Sequence, residues 1–162
     1  MVLTRCCSVT TARDGVNWSL LLAIGAAIGL GKALDASGAA TSIGDAMVRL
    51  AGSNPFVALA AIYLLTTVLT EIVTNNAAAA VAFPLAQATA SALGVDLMPF
   101  VITIMMAASA SFSSPLGYQT NLMVMGPGGY RFGDFLRIGL PLNLLVGVGT
   151  VILAPMLFPF SG

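Results

Sequence analysis

The sequence predicts an all-α membrane protein organised around a re-entrant helical hairpin and a broken transmembrane helix. Three observations carry that prediction. The chain has 162 residues, of which 58% are hydrophobic and 7% charged, where an ordinary soluble domain carries roughly 25% charge. A polar cluster, Thr70, Glu71, Thr74, Asn75 and Asn76, divides one long apolar stretch, and Pro115 and Gly117 with polar neighbours divide another. The same composition narrows function. Six Lys and Arg balance six Asp and Glu, histidine is absent, and without a basic cluster that could neutralise phosphates nucleic acid is excluded as a partner. Cys6 and Cys7 are adjacent, so they form neither a disulfide framework nor a spaced metal site.

The elements follow in order. Arg5, Cys6 and Cys7 precede the polar stretch from Ser8 to Asn17, which lacks the order of a signal peptide. A spanning helix needs about 20 apolar residues, and residues 16–34 nearly reach that length, with Trp18 as an interfacial anchor at one end and Lys32 and Asp35 at the other. Residues 39–51 place Asp45 and Arg49 on one helical face with an apolar face opposite, an amphipathic arm. Within 55–93 the apolar runs Phe56 to Leu69 and Ala77 to Leu93 flank the polar cluster, and neither is comfortably long enough to cross alone. A re-entrant hairpin with its tip near the membrane middle fits them, since non-helical backbone at that depth needs protein or water beside it. Residues 98–126 form the broken helix, because proline removes a donor and prevents regular helix around it. Arg131 to Arg137 reads as a polar connection and residues 138–160 as a last span, with Pro141 near its start.

Two interrupted elements are the sequence mark of a transporter site, because half-helix N-termini attract anions and freed carbonyls attract cations. Such a site would draw on hydroxyls, amide groups and carbonyls freed from helical bonding. Isolated threonines in apolar helices more often serve as glue across a helix interface. Glu71 reads either as an ion ligand or proton carrier, or as a cap on backbone amides at the tip or a contact to a partner helix; the second reading is preferred. The Gly126 to Gly129 run is a turn, since it lacks the Gly-Lys-Ser/Thr ending of a phosphate loop. An enzyme would want a histidine, a carboxylate pair or an activated nucleophile, and the sequence offers a single deep acid.

The stretches LTEIVTNNAAAAVAFPLA, SFSSPLGYQTNLMVMGPGGYRFGDF and VNWSLLLAIGAAIGLGKALDASGAA together resemble the divalent anion:sodium symporter family, within the ion-transporter group that includes arsenite permeases. The match covers nearly the whole chain, is closest to bacterial members with inserted regulatory domains, and corresponds to their C-terminal half. It implies two inverted repeats, each with a re-entrant hairpin and a broken helix, enclosing one anion and its coupling sodium ions. Residues 1–15 then hold the remnant of a preceding helix, of which Met1 to Cys7 is the tail, and a loop; residues 16–162 are the transport domain. The resemblance assigns anion binding to Thr74, Asn75, Asn76, Gln119 and Thr120, and sodium binding to Thr70, Val73, Asn75 and Gly117. The family's Ser-Asn-Thr at the hairpin tip is Thr74-Asn75-Asn76 here, an amide in place of the last hydroxyl. The implied function is sodium-coupled symport of sulfate or a dicarboxylate in a bacterial inner membrane, with no cofactor and no metal beyond sodium. The implied partners are the anion, sodium, lipid, the missing N-terminal half and a second copy of the complete unit. The alternative is a truncated, non-transporting remnant or scaffold half. Pro115 to Asn121 is expected to be non-helical and to face the hairpin tip. Arg5, Arg13 and Arg49 fall on one side of the membrane and Lys32, Arg131 and Arg137 on the other, three against three, so Lys/Arg bias gives the chain little reason to choose an orientation.

Overall fold

The computed structural model describes residues 8, 10, 13, 15, 18–52 and 54–161. The expected helical tail from Met1 to Cys7 lies outside them. Thr10 and Arg13 are helical, no strand occurs among the described residues, and from Trp18 onward the helices are α1 (Trp18–Ser37), α2 (Ala39–Ala51), α3 (Pro55–Ile72), α4 (Asn75–Leu93), α5 (Met98–Ser109), α6 (Gln119–Met125) and α7 (Phe132–Leu157).

Local chemistry sets the boundaries. Asn54 caps α3, its Oδ1 accepting from the Phe56 N–H at 3.0 Å, and Pro55 occupies the first turn, where its missing N–H costs nothing. Gly94 ends α4 in the left-handed region (φ 66°), and Asp96 Oδ1 then accepts from the Met98 N–H at 2.6 Å to start α5. The residues from Arg131 to Arg137 differ from expectation. They are the N-cap and opening turns of α7, begun by the Arg131 N–H donating to Asp134 Oδ2 at 2.8 Å, so the last helix starts at Phe132 rather than Ile138. A carboxylate in a first turn is favoured by the helix dipole, so charge there marks a helix start as readily as a loop.

α3 and α4 form a helical hairpin, joined by the short link at Val73 and Thr74. Their lengths depart from the expected reading. Thr70, Glu71 and Ile72 continue α3 to 18 residues, long and apolar enough to cross a membrane, as is the 26-residue α7. At 1.5 Å per residue α3 spans about 27 Å, close to the hydrocarbon thickness.

The core lies among α3, α4 and α5. Ala58, Leu59 and Ile62 meet Ala82, Ala86 and Ala90 of α4 and Phe100 and Ile104 of α5. The alanines let helix backbones approach closely, as membrane packing requires. Phe160, beyond α7, closes one end of this core, its ring edge-on to Phe56 at 5.3 Å. α1 and α2 lie along α4, while α7 packs on α3 and α5. The outward faces of α3 and α7 carry Leu64, Leu144 and Leu145, each at least 65% exposed. A contiguous apolar exterior of this kind is covered by lipid or by further protein.

Candidate functional site

The site is built where α3 ends. Thr66, Thr89 and Thr150 each donate to the carbonyl four residues back, Ile62 O, Leu85 O and Val146 O, at 2.7–2.8 Å, so these threonines bond within their own helices rather than across an interface. Thr70 differs. Its fully buried hydroxyl shares its hydrogen between Asn75 Oδ1 across the tip and Ala108 O of α5, both at 3.0 Å. The hairpin tip is thereby tied to the end of the helix that breaks.

The break runs from Ala110 to Tyr118, beginning well before Pro115. Its serines explain the early start, because they find partners on α3 in place of helical bonds. Ser111 Oγ donates to Thr70 O at 3.4 Å and Ser114 Oγ to Glu71 O at 3.2 Å, capping carbonyls that the end of α3 leaves free. Asn121 Nδ2 holds the loop from inside, donating to Ser111 O and Ser114 O at 2.9 and 3.1 Å. Gly117 is buried against the tip. A Cβ there would collide with Ser111 Oγ and the Thr70 carbonyl and lie 3.2 Å from Glu71 Cα, so only glycine admits this approach. Pro115 to Tyr118 is non-helical and faces the hairpin as expected, whereas Gln119, Thr120 and Asn121 already form the first turn of α6.

Of the residues expected to hold sodium, Thr70, Asn75 and Gly117 are brought together by these contacts. Val73 and Gly117 share a further feature. Each immediately precedes an N-cap, Thr74 for α4 and Tyr118 for α6, so their carbonyls fall outside the ladders that start at Thr74 O and Tyr118 O. These are the freed backbone oxygens that suit a hard cation.

The residues expected to bind the anion are less tightly grouped. Thr74 is exposed and caps α4, its Oγ1 accepting from the Ala77 N–H at 3.4 Å. Asn75 faces Thr70, while Asn76 is exposed on the wall of a cavity of about 640 Å³ between α1 and α4. Lys32 and Gln87 line that cavity as well, and Gly31 lies beside Pro84. Thr120 is exposed on α6, and the side chain of Gln119 lies outside the described residues.

Glu71 meets the loop of the break and a partner helix through one of its two oxygens. Its Oε1 accepts from the Ser113 N–H at 3.0 Å and from Asn143 Nδ2 at 3.1 Å. Asn143 was not singled out from sequence; its signal is a lone carboxamide inside the apolar run of α7. It also donates to Ser113 Oγ at 2.7 Å, and its carbonyl accepts from the Tyr63 hydroxyl at 3.2 Å. α7 reaches the loop because Gly139, one turn earlier on the same face, touches it. A Cβ at Gly139 would meet the Phe112 carbonyl and Ser113 Cα.

Among the described residues no group of three or more His, Cys, Asp or Glu side chains could hold a metal ion. The oxygens at the tip are instead hydroxyl, amide and carbonyl groups, a set suited to a weakly held alkali cation.

Comparison with known proteins identifies the family. A family model described as citrate transporter matches residues 1–105, which include the whole hairpin. An uncharacterized transporter of Synechocystis is 38% identical over 162 residues, 98% of this chain and 26% of its own length. A probable sodium/sulfate cotransporter of Chlamydomonas reinhardtii is 38% identical over 161 residues, 96% of this chain and 18% of its own. A sodium-dependent dicarboxylate transporter of Staphylococcus saprophyticus is 28% identical over 148 residues, covering 91% of this chain and 28% of its own. The chain thus spans between 18% and 28% of the length of these relatives. It is an integral membrane protein of a transporter group rather than of an enzyme family, and it belongs to the citrate transporter family.

Proposed function

We propose that this chain is the C-terminal half of a secondary transporter that carries a divalent anion, sulfate or a dicarboxylate, together with sodium across a bacterial inner membrane. The observation that carries the reading is the bond from Thr70 to both Asn75 and Ala108, which joins the hairpin tip to the broken helix. In this reading Thr70, Val73, Asn75 and Gly117 give oxygens to sodium. Thr74, Asn75, Asn76, Gln119 and Thr120 give donors to the anion, aided by the positive end of α4. The names of the Chlamydomonas and Staphylococcus relatives support both the ion and the anion class. α3–α4 is the re-entrant hairpin of one inverted repeat, the other repeat comes from a separate first half, and the complete unit forms a homodimer.

The test is uptake of radiolabelled sulfate and dicarboxylates by cells co-expressing this chain with the first half of a relative, in sodium and in choline medium. Sodium-dependent uptake of one anion is expected with both pieces present and none with either alone. Uptake that ignores sodium would sink the coupling, and none with both pieces present would favour a non-transporting fragment.

A further inference from the structure

We propose that Glu71 and Asn143 form a second cation-binding position, separate from the hairpin tip, which takes sodium between Glu71 Oε2 and Asn143 Oδ1. Two unsatisfied oxygens on neighbouring side chains carry the inference. Both atoms are buried and have no hydrogen-bond partner, while the other terminal atom of each side chain is fully engaged. Asn143 itself is 93% buried, since only 7% of its surface is exposed.

The orientation of the carboxamide is determined by its neighbours. Asn143 Nδ2 points its hydrogens at Glu71 Oε1 and Ser113 Oγ. Turning the amide over would set its oxygen against the carboxylate oxygen, acceptor to acceptor, so Oδ1 is held away from these acceptors. Glu71 is held as firmly. Its two partners, the Ser113 N–H and the Asn143 amide, are both neutral, so they satisfy Oε1 without neutralising the carboxylate. A buried carboxylate without a counter-charge is strongly unfavourable. A water molecule could donate to both open oxygens but would leave that charge in place. A sodium ion satisfies both oxygens and supplies the charge, and carboxylate plus amide oxygen is a ligand pair that a hard cation accepts.

Separation also fits. Glu71, Ser113, Ser114 and Asn143 lie along a largely apolar groove of about 740 Å³ between α3 and α7. Glu71 follows Thr70 in α3, so it points about 100° around the helix from the hydroxyl that faces Asn75. One helix end therefore serves two positions, one directed at the tip and one at α7. The inference goes beyond the proposed tip ion and does not depend on it.

Thermal unfolding of the purified chain in lipid nanodiscs, followed by circular dichroism, separates the two. Sodium replaces choline at constant ionic strength. The midpoint is expected to rise with sodium and saturate. Glu71→Gln keeps the shape and the Oε1 acceptor, and it should weaken the response of an Asn75→Ala background at least tenfold. Asn143→Ala, which removes the amide oxygen and leaves the carboxylate, provides a second reading and should weaken it as well. A response in Asn75→Ala that survives both Glu71→Gln and Asn143→Ala overturns the position. So does an Asn75→Ala variant with no sodium response, and so does acidification raising the midpoint where sodium does not. Loss of the tip ion is read separately, as a change between wild type and Asn75→Ala that leaves the Glu71-dependent part intact.

Discussion

The two faces of the hairpin tip are built differently from almost the same residue types. On the face turned to the break, Thr70, Glu71 and Asn75 are each bonded to a partner far along the chain or across the tip, and Gly117 is packed against them. On the other side, Thr74 and Asn76 are exposed, and Asn76 borders a cavity whose wall combines apolar residues such as Ile24, Ala79 and Phe83 with Lys32 and Gln87. The first face holds oxygens in fixed positions, as selection of a small cation demands. The second leaves donors open beside a space large enough for a polyatomic anion. Preorganisation on one face and openness on the other thus arise from neighbouring residues of one tip.

The largest effect should come from forcing the two elements of the closed face apart. Gly117→Val places a side chain where Ser111 Oγ and the Thr70 carbonyl already are. It is expected to destabilise the chain by about 3 kcal/mol and to abolish uptake by the assembled transporter. A variant that melts like wild type and transports would refute the packing. Asn75→Ala comes next. It removes the acceptor from one bond of Thr70 and leaves the bond to Ala108. Stability should fall by about 1 kcal/mol while sodium-dependent uptake disappears and membrane insertion persists; normal uptake would remove Asn75 from the site.

On the open face the expectation is reversed, with function changing more than stability. Asn76→Ala should shift the unfolding free energy by less than about 0.5 kcal/mol, because its side chain is exposed, yet raise the KM for the anion several-fold. An unchanged KM would place the anion elsewhere. The smallest effect is expected at Lys32. α1 and α4 run side by side with Gly31 level with Pro84, which sets Lys32 about eight residues, or roughly 12 Å, along from Asn76. Lys32→Gln should raise the same KM by about twofold at low salt and have no effect at high salt, as expected for attraction across a Debye length. Equal effects at both ionic strengths would mean direct contact instead.

Much of this arrangement is legible in the sequence, and the reasons differ by element. The helical hairpin and the break announce themselves because polar residues inside apolar runs stand out, so the meeting of Thr70, Asn75 and Gly117 is legible before any coordinates. The exact start of the break is not, since a serine run such as Ser111 to Ser114 suits a helix or a loop until the carbonyls it serves are known. Asn143 is hidden for the same reason that it matters. Its partners lie 72 and 30 residues away, and nothing in the Leu-rich sequence around it reports them. The reach of α3 through Glu71 is also hidden, because a polar residue inside a helix looks like a terminus when its tertiary bonds are unknown. The start of α7 was obscured by charge that proves to be a cap.

The spacing of these bonds along the chain has a consequence for biosynthesis. Glu71 leaves the ribosome 42 residues ahead of Ser113 and 72 ahead of Asn143, its two donors. At about 5–20 residues per second the carboxylate waits between about 4 and 14 s for the second. During that interval the hairpin is complete as two helices, but its acid has no bonded place inside the bilayer. Glu71 is therefore expected to stay near the aqueous side or the insertion machinery until α7 arrives, which makes the nascent hairpin a late-docking element. Nascent chains stalled before and after Asn143 should then differ in the labelling of a cysteine at Val73, and equal labelling at both lengths would mean the hairpin docks without its last helix.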